Sequence, residues 1–336
     1  MTIISKAPCR LSLVGGGTDV DPFAAEFGGL VLNFAISIYH QVELIPHQFP
    51  EIKLKALNRV KTTTLLPRFD YGQQPEFDLI YSVINYFRPE IKTGFRLKII
   101  GPEINPVGLG RSSSVGVAII GAFNFWLNAG LSRRQIGLLS SWLEVNELGW
   151  PNGKQDGLAA ALGGINLLKI GPKDEVKIKP IRLSSLLLKE LIDNLIVFNL
   201  GGEHHSSQQQ QQLIKGMRQP EKLAALQAIK TTVLPAVSAL QSGNWALLGK
   251  IIDKSWQEKK KSNPLVSGNE IDRFYNLGLK SGAYGGKLAG SGGAGYLFFL
   301  CPPQKQLNIV QNLSRFGIKQ VKFNLDFKGV QVKYVD

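Results

Sequence analysis

The chain has 336 residues, of which 44% are apolar and 19% charged. That is enough apolar material for a packed core, and it argues against disorder over most of the length. With 39 Lys plus Arg against 25 Asp plus Glu, the net charge is 39 − 25 = +14. This favours an anionic partner (a phosphorylated small molecule, a nucleic acid or an acidic membrane surface), or else only keeps the protein in solution. Cys9 and Cys301 are too few for a disulfide scaffold, and His40, His47, His204 and His205 fall in no zinc-binding pattern.

In chain order, residues 1–17 lack the charged start, apolar run and cleavage site of a signal peptide and read as a first strand. Arg10 to Val14 is strand-like and ends in glycines. A short helix at Asp21 to Phe27, strands over Gly29 to Leu44, a helix over 76–88 and a strand at Phe95 to Ile100 follow. The spacing then predicts helices over Ser112 to Asn128, Arg133 to Leu148 (capped by Ser132) and Leu158 to Leu162, and a strand over Ile165 to Ile170. The polar stretch 171–186, with two prolines, places a domain boundary near 185, giving domains 1–185 and 186–336. Beyond it come a strand at Leu195 to Leu200 and a helix from Ser206, with Gln209 completing a capping box and Gln208 to Gln212 as a solvated face. Two helices over 220–260, a helix over Ile271 to Ser281 and a buried strand at Tyr296 to Leu300 complete an α+β pattern. No stretch reaches the roughly 18 apolar residues of a spanning helix. The expectation is a cytoplasmic protein with no membrane partner.

Glycine is clustered at three places. In Pro106-Val-Gly108-Leu109-Gly110-Arg111-Ser112-Ser113-Ser114, glycines lead into three serines and a helix. Free N–H groups and the dipole at a helix start make an anion site, and the serine hydroxyls add ligands for phosphate oxygens or Mg²⁺. A Walker loop does not fit: one residue is missing between Gly149 and Lys154, and before Lys287 the first glycine is Ser281. A dinucleotide fingerprint fails at Ser113 and at Val20. The second cluster ends the first strand, in Arg10-Leu-Ser-Leu-Val-Gly-Gly-Gly17-Thr18-Asp19. Asp19 could accept hydrogen bonds from sugar hydroxyls, or simply cap the short helix after it. The third, Gly285 to Gly295, runs straight into the buried strand at Tyr296 and reads as a loop closing over nucleotide or substrate, or as a tight structural turn. Glu144 on its helix, and Asp156 in a loop entering Leu158 to Leu162, supply the carboxylates that phosphoryl transfer needs.

Together, and in this order, the three motifs resemble the GHMP kinases. VGGGTD, GKQDGLAAALGGIN and GGKLAGSGGAGYLFFL are most similar to the subgroup acting on heptose 7-phosphate. The resemblance implies a ribosomal S5 domain 2-like N-terminal half and a ferredoxin-like C-terminal half. It implies transfer of the γ-phosphate of ATP, with Mg²⁺, to an anomeric hydroxyl of a sugar or sugar phosphate. By position, Ser112 and Glu144 resemble the Mg²⁺ ligands, Asp156 the catalytic aspartate and Arg10 a basic residue that polarises the acceptor. Pro106 and Gly108 to Ser114 would wrap the nucleotide phosphates. Gly17, Thr18 and Asp19, with Gly290, Ser291 and Gly292, would contact the acceptor. Three departures stand out. Arg111 replaces a usual serine, Gly157 replaces a glutamine, and Gly201-Gly-Glu-His204-His205 stands where an arginine is usual, so His204 and His205 become candidate acceptor contacts. Two other readings remain: a non-catalytic sugar or nucleotide sensor, which Arg111 favours, and a nucleic-acid binder, which the absence of any recognised motif disfavours. A homodimer is left open.

Overall fold

The structure, a computed structural model, describes residues 2–335 except 57, 173–174 and 203–205, and of 206–208 only the backbone. Strands β1 (Thr2–Val14) and β2 (Gly29–His47) pair antiparallel along most of their length and form the spine of an eight-stranded sheet. The second strand is long enough to carry two neighbours end to end on its other edge. Its first part pairs with β6 (Ile165–Ile170) and its last part with β5 (Gly94–Ile100). Beyond these lie β3 (Glu51–Ala56) and β4 (Arg59–Thr64) on one side and β7 (Val176–Pro180) on the other. Of the five remaining strands, four make a second, antiparallel sheet and one returns to the first. The sheet order is β11 (Lys319–Val321), β8 (Leu195–Asn199), β10 (Tyr296–Leu300), β9 (Gly285–Leu288).

Two sheets with helices packed on them bear out the α+β reading. The end of the expected second half does not stay there. Strand β12 (Gln331–Val335) pairs with the first strand, Ile3 opposite Tyr334, so the 186–336 segment is corrected: its last strand belongs to the first sheet. The polar stretch 171–186 is not a free linker either, because β7 lies within it and pairs with β6. Its alternating Lys and apolar residues suit an edge strand.

The first strand explains how the site is built. Its opening residues alternate between buried and half-buried, but everything from Ala7 to Val14 is buried. On one side it packs under helix α3 (Arg111–Trp126). On the other, Leu11 and Leu13 join Phe34, Val197, Phe298 and Leu300 in a core shared by both sheets. Period-two alternation then turns Arg10 and Ser12 to the face opposite Leu11 and Leu13, toward Asp156, Gly110 and Gly16.

Helices α8 (Pro220–Thr231), α9 (Val233–Gln241) and α10 (Trp245–Ser262) stand where two were expected. By length and composition, residues 220–241 could cross a membrane, contrary to the sequence reading; half of this stretch is buried inside the protein. Leu226 and Ile229 face a small core with Val20 and Phe23, and Val233, Ala236 and Leu240 join the shared core.

Candidate active site

The glycine-serine turn is a helix N-terminus of the expected kind. Gly108 and Gly110 hold φ of 80° and 77°, a conformation costly for any side chain. A Cβ on Gly110 would also stand 3.2 Å from Arg10 and 3.4 Å from Asp156. The first intrahelical bond accepted by Gly110 comes from Ser114, so the N–H groups of Arg111, Ser112 and Ser113 lack intrahelical acceptors and are open to an anion.

The serines divide their work. Ser114 is fully buried and donates to the Ala7 carbonyl at 2.9 Å. This corrects its assignment to the nucleotide: it ties helix to strand. Its oxygen also lies 3.1 Å from His40 Nδ1, and burial, with Arg111 nearby, pulls that imidazole down to about 4. Ser113 donates to Glu144 Oε2 at 2.7 Å. Ser112 remains the half-exposed hydroxyl of the three. Pro106 and Leu109 contribute only backbone: the Pro106 carbonyl accepts from Leu109, whose own carbonyl accepts from Arg10 at 2.9 Å, and the Leu109 side chain is core. Arg111 reaches toward Asn105 (3.5 Å) and does not line the central cleft.

Glu144 is presented by a π-helical turn, Leu143–Glu147, that widens the end of α4 (Arg133–Trp142); such turns often mark functional positions. Its carboxylate is completely buried. Oε2 receives Ser113 and the Asn152 amide, each at 2.7 Å, while Oε1 has no hydrogen-bond partner among the described residues. Burial pushes this acid up to about 7, against the downward pull of Ser112, Ser113 and Asn152. A buried carboxylate oxygen without a donor, beside serine hydroxyls, suits a hard divalent cation that completes its shell with water and phosphate oxygens. Among the described residues no cluster of three His, Cys, Asp or Glu exists, so these oxygens could hold a cation only together with a bound nucleotide.

Asp156 lies in the first turn of α5 (Gln155–Leu162), not in the loop the sequence suggested. Arg10 grips it with both arms of its fork: Nε to Oδ1 at 2.7 Å and Nη2 to Oδ2 at 2.6 Å. The third arm, Nη1, donates to the Gly108 carbonyl at 2.7 Å. One guanidinium thereby fixes the carboxylate and the phosphate turn relative to each other. Gly157 is explained by packing: a Cβ there would meet the Gly137 carbonyl at 2.4 Å, where α4 and α5 cross.

A cleft opens on the other side of this pair. Arg10, Gly17, Asp19, Asp156, Gly290 and Ser291 line it, and so do residues to which the sequence reading gave no site role, among them Ser12, Asn152, Gln155, Gln209, Lys259 and Lys287. Asp19 does not cap the short helix after it, whose cap is Pro22. Its oxygens accept from Gly17 N (3.1 Å), Gln155 N (3.2 Å) and Gln155 Nε2 (3.0 Å). Burial, with Asp156 nearby, raises it above the ordinary carboxylate range.

Two acceptor assignments are corrected. Thr18 is fully buried. Its hydroxyl donates to the carbonyls of Gly15 (2.8 Å) and Leu30 (3.0 Å), and its oxygen accepts from Leu30 N at 3.0 Å. It pins the turn between the first two strands. Thr18→Val should therefore lower stability by about 2 kcal/mol, the cost of orphaned backbone partners, with KM for both substrates unchanged; a chemical-denaturation curve and steady-state kinetics check this. Gly292 packs on Val266, where a Cβ would stand at 2.4 Å, and does not line the cleft. The third glycine motif is not one loop: Gly285 to Leu288 is a buried strand whose Lys287 lines the cleft, and the turn after it reaches the site as well, with Gly290 against Gly108. His204, His205 and the Ser206 capping box lie outside the residues whose side chains are described. The glutamine run is not wholly a solvated face: Gln209 is buried, and its Oε1 accepts from Ser291 at 3.1 Å.

Comparison with known proteins agrees with this geometry. The sequence matches the GHMP kinases N terminal domain over residues 78–164 and the GHMP kinases C terminal domain over 236–319. It is 31% identical to the D-glycero-alpha-D-manno-heptose 7-phosphate kinase of Campylobacter jejuni, over 98% of both chains. A D-glycero-D-manno-heptose 1-phosphate kinase structure from Bacteroides thetaiotaomicron superposes with a TM-score of 0.82 at 25% identity, covering 99% of each chain. The galactokinase of Lactococcus lactis, at 17% identity with a TM-score of 0.79 over 99% of this chain and 95% of that one, shares the fold.

Proposed function

Because the chain belongs to the GHMP kinases, a family of ATP-dependent phosphotransferases, we propose that it phosphorylates a hydroxyl of a sugar phosphate. The acceptor we assign is D-glycero-D-manno-heptose 7-phosphate, which its Campylobacter relative is named for. The observation that carries the reading is the Arg10–Asp156 pair, clamped at 2.6 and 2.7 Å between the phosphate turn and the cleft.

Phosphoryl transfer asks mainly for positioning and charge. The free N–H groups at the start of α3 and the Ser112 hydroxyl hold the nucleotide phosphates. Ser112 and Glu144 would hold Mg²⁺, which would supply positive charge to offset that of the nucleotide phosphates. Each Asp156 oxygen keeps a lone pair after binding Arg10. The carboxylate can therefore accept the hydrogen of the acceptor hydroxyl, aim its oxygen at the γ-phosphorus and take the proton as the bond forms. Arg10, already tied to the Gly108 carbonyl, places its positive charge where the transferring group passes. Gln209, Ser291 and Asn152 offer neutral hydrogen-bonding groups to sugar hydroxyls.

The test is ADP release with Mg²⁺-ATP across free sugars and sugar phosphates. Turnover with heptose 7-phosphate, at least about tenfold above any free sugar in kcat/KM, is the expected result. Turnover only with a free sugar would keep the kinase and overturn the acceptor. ATP binding without turnover on any acceptor would favour the sensor reading.

A further inference from the structure

Lys287 sits in the middle of β9, between glycines and apolar residues, and is only 2% exposed. An ammonium group is among the costliest groups to bury without a counter-ion. Yet among the described residues its Nζ has no hydrogen-bond or ion-pair partner, and it lines the cleft. Lys259, from α10, lines the same cleft and donates to the Gly290 carbonyl.

Asp19 and Asp156 balance the cations of the cleft only in part: Arg10, Lys259 and Lys287 face these two carboxylates. Asp156 is gripped on both oxygens by Arg10, and Asp19 already receives three N–H donors. Ser12 Oγ, on the same wall, is buried with no hydrogen-bond partner among the described residues. The cleft thus holds two lysines and a hydroxyl poised for an anion that the protein does not supply. Its place is on the acceptor side: Asp19 and Gly17 line it, whereas Ser112 and Glu144 do not.

We infer that Lys287 and Lys259, with Ser12, form a phosphate-binding subsite that selects an acceptor already carrying a phosphate. This rests on the kinase reading above and names the group by which its substrate is recognised. A neutral sugar leaves both ammonium groups unmatched, whereas a phosphate dianion neutralises both and accepts their hydrogen bonds. The phosphate could have a second source, the γ-group of ATP, and the experiment separates the two.

Steady-state kinetics of wild type, K287M and K287R are compared with heptose 7-phosphate and with the same heptose lacking its phosphate. In K287M, the preference for phosphorylated over free sugar, as a ratio of kcat/KM, should fall about 30-fold. The loss should lie in KM for the acceptor and not in KM for ATP, and K287R should recover most of it. A drop in kcat with both acceptors alike, or a rise in KM for ATP, would assign the lysine to the transferring phosphoryl group and overturn the proposal. An unchanged ratio would overturn it too.

Calorimetry with inorganic phosphate, on the full chain saturated with a non-hydrolysable ATP analogue, keeps the two readings apart. Binding that weakens about tenfold or more in both K287M and K259M sustains the subsite even if no sugar is turned over. Binding that neither variant affects removes it even if the kinase reading stands. Unchanged thermal melting of K287R shows that the comparison is made on folded protein.

Discussion

Asp156→Asn is expected to lower kcat about a thousandfold while ATP still binds, as read by ADP release and by nucleotide titration. The side chain lines the cleft, and among the described residues the glycine-serine turn is held by Arg10 through the Gly108 carbonyl and not by a hydrogen bond from Asp156, so the nucleotide should still bind. Asparagine keeps the shape, but one of its two terminal groups becomes a donor. That group can neither accept from the Arg10 fork nor take the acceptor proton, and a positioned base is worth about 10²–10⁴ in rate. A second effect follows from burial. The Arg10 and Asp156 side chains are 7% and 10% exposed, so the substitution leaves a buried guanidinium without its counter-ion, at a cost of about 3 kcal/mol. Full activity in this variant would remove Asp156 from the mechanism. A lost fold would show in the denaturation midpoint, and a well-folded but inactive protein is the expected outcome.

The second large effect concerns Glu144 and pH. Burial holds its acid form up to about 7, against an ordinary value of 4.5. A folded value above the unfolded one means that the acid's contribution to stability is complete below about 4.5 and is lost as pH rises through about 7. The metal-free protein should therefore lose up to about 3 kcal/mol between pH 5 and pH 8 from this group. Glu144→Gln, neutral at every pH, should flatten that part of the profile. Metal binding runs the opposite way, because the cation takes the ionised form. Lowering pH from 8 to 6 should raise the Mg²⁺ concentration for half-maximal activity about tenfold, and Glu144→Gln should cost about a hundredfold in kcat/KM at pH 8. Denaturation curves across pH with chelator present, and Mg²⁺ titrations of activity, measure the two signs separately. A flat Mg²⁺ requirement from pH 6 to 8 would exclude Glu144 as a ligand.

What could be read in the sequence follows how local its cause is. The phosphate turn was legible because its glycines, serines and helix are contiguous. Arg10 and Asp156 could be singled out because each lies beside a glycine-rich motif, and Glu144 only through the family resemblance, since its helix has no unusual composition. Thr18 looked like a sugar contact because the sequence does not show that Leu30, twelve residues on, returns to take its hydroxyl. Ser12, Lys259 and Gln209 meet only through the register of the first strand and the packing of the C-terminal helices, which no local pattern encodes. Lys287 did leave a signal: a single charge inside a strand of glycine and apolar residues, read only as a failed Walker lysine. Strand β4 escaped because its Lys and Thr lie on a largely exposed edge, where side chains follow solvent more than core, whereas β3, which alternates exposed Glu and Lys with buried Ile52 and Leu54, carried a short period-two pattern that went unread.

The pairing of Ile3 with Tyr334 spans 334 − 3 = 331 positions, and this sets a timetable for synthesis. At about 5–20 residues per second, the first strand leaves the ribosome roughly 20 to 60 s before its outer neighbour exists. Over that interval the backbone groups of Thr2 to Lys6 form an open sheet edge, available to any extended chain nearby. The N-terminal half is thus not a finished unit when it emerges. Its sheet closes last, when the final strand arrives, and the two halves are committed to one another by the order in which the chain is made.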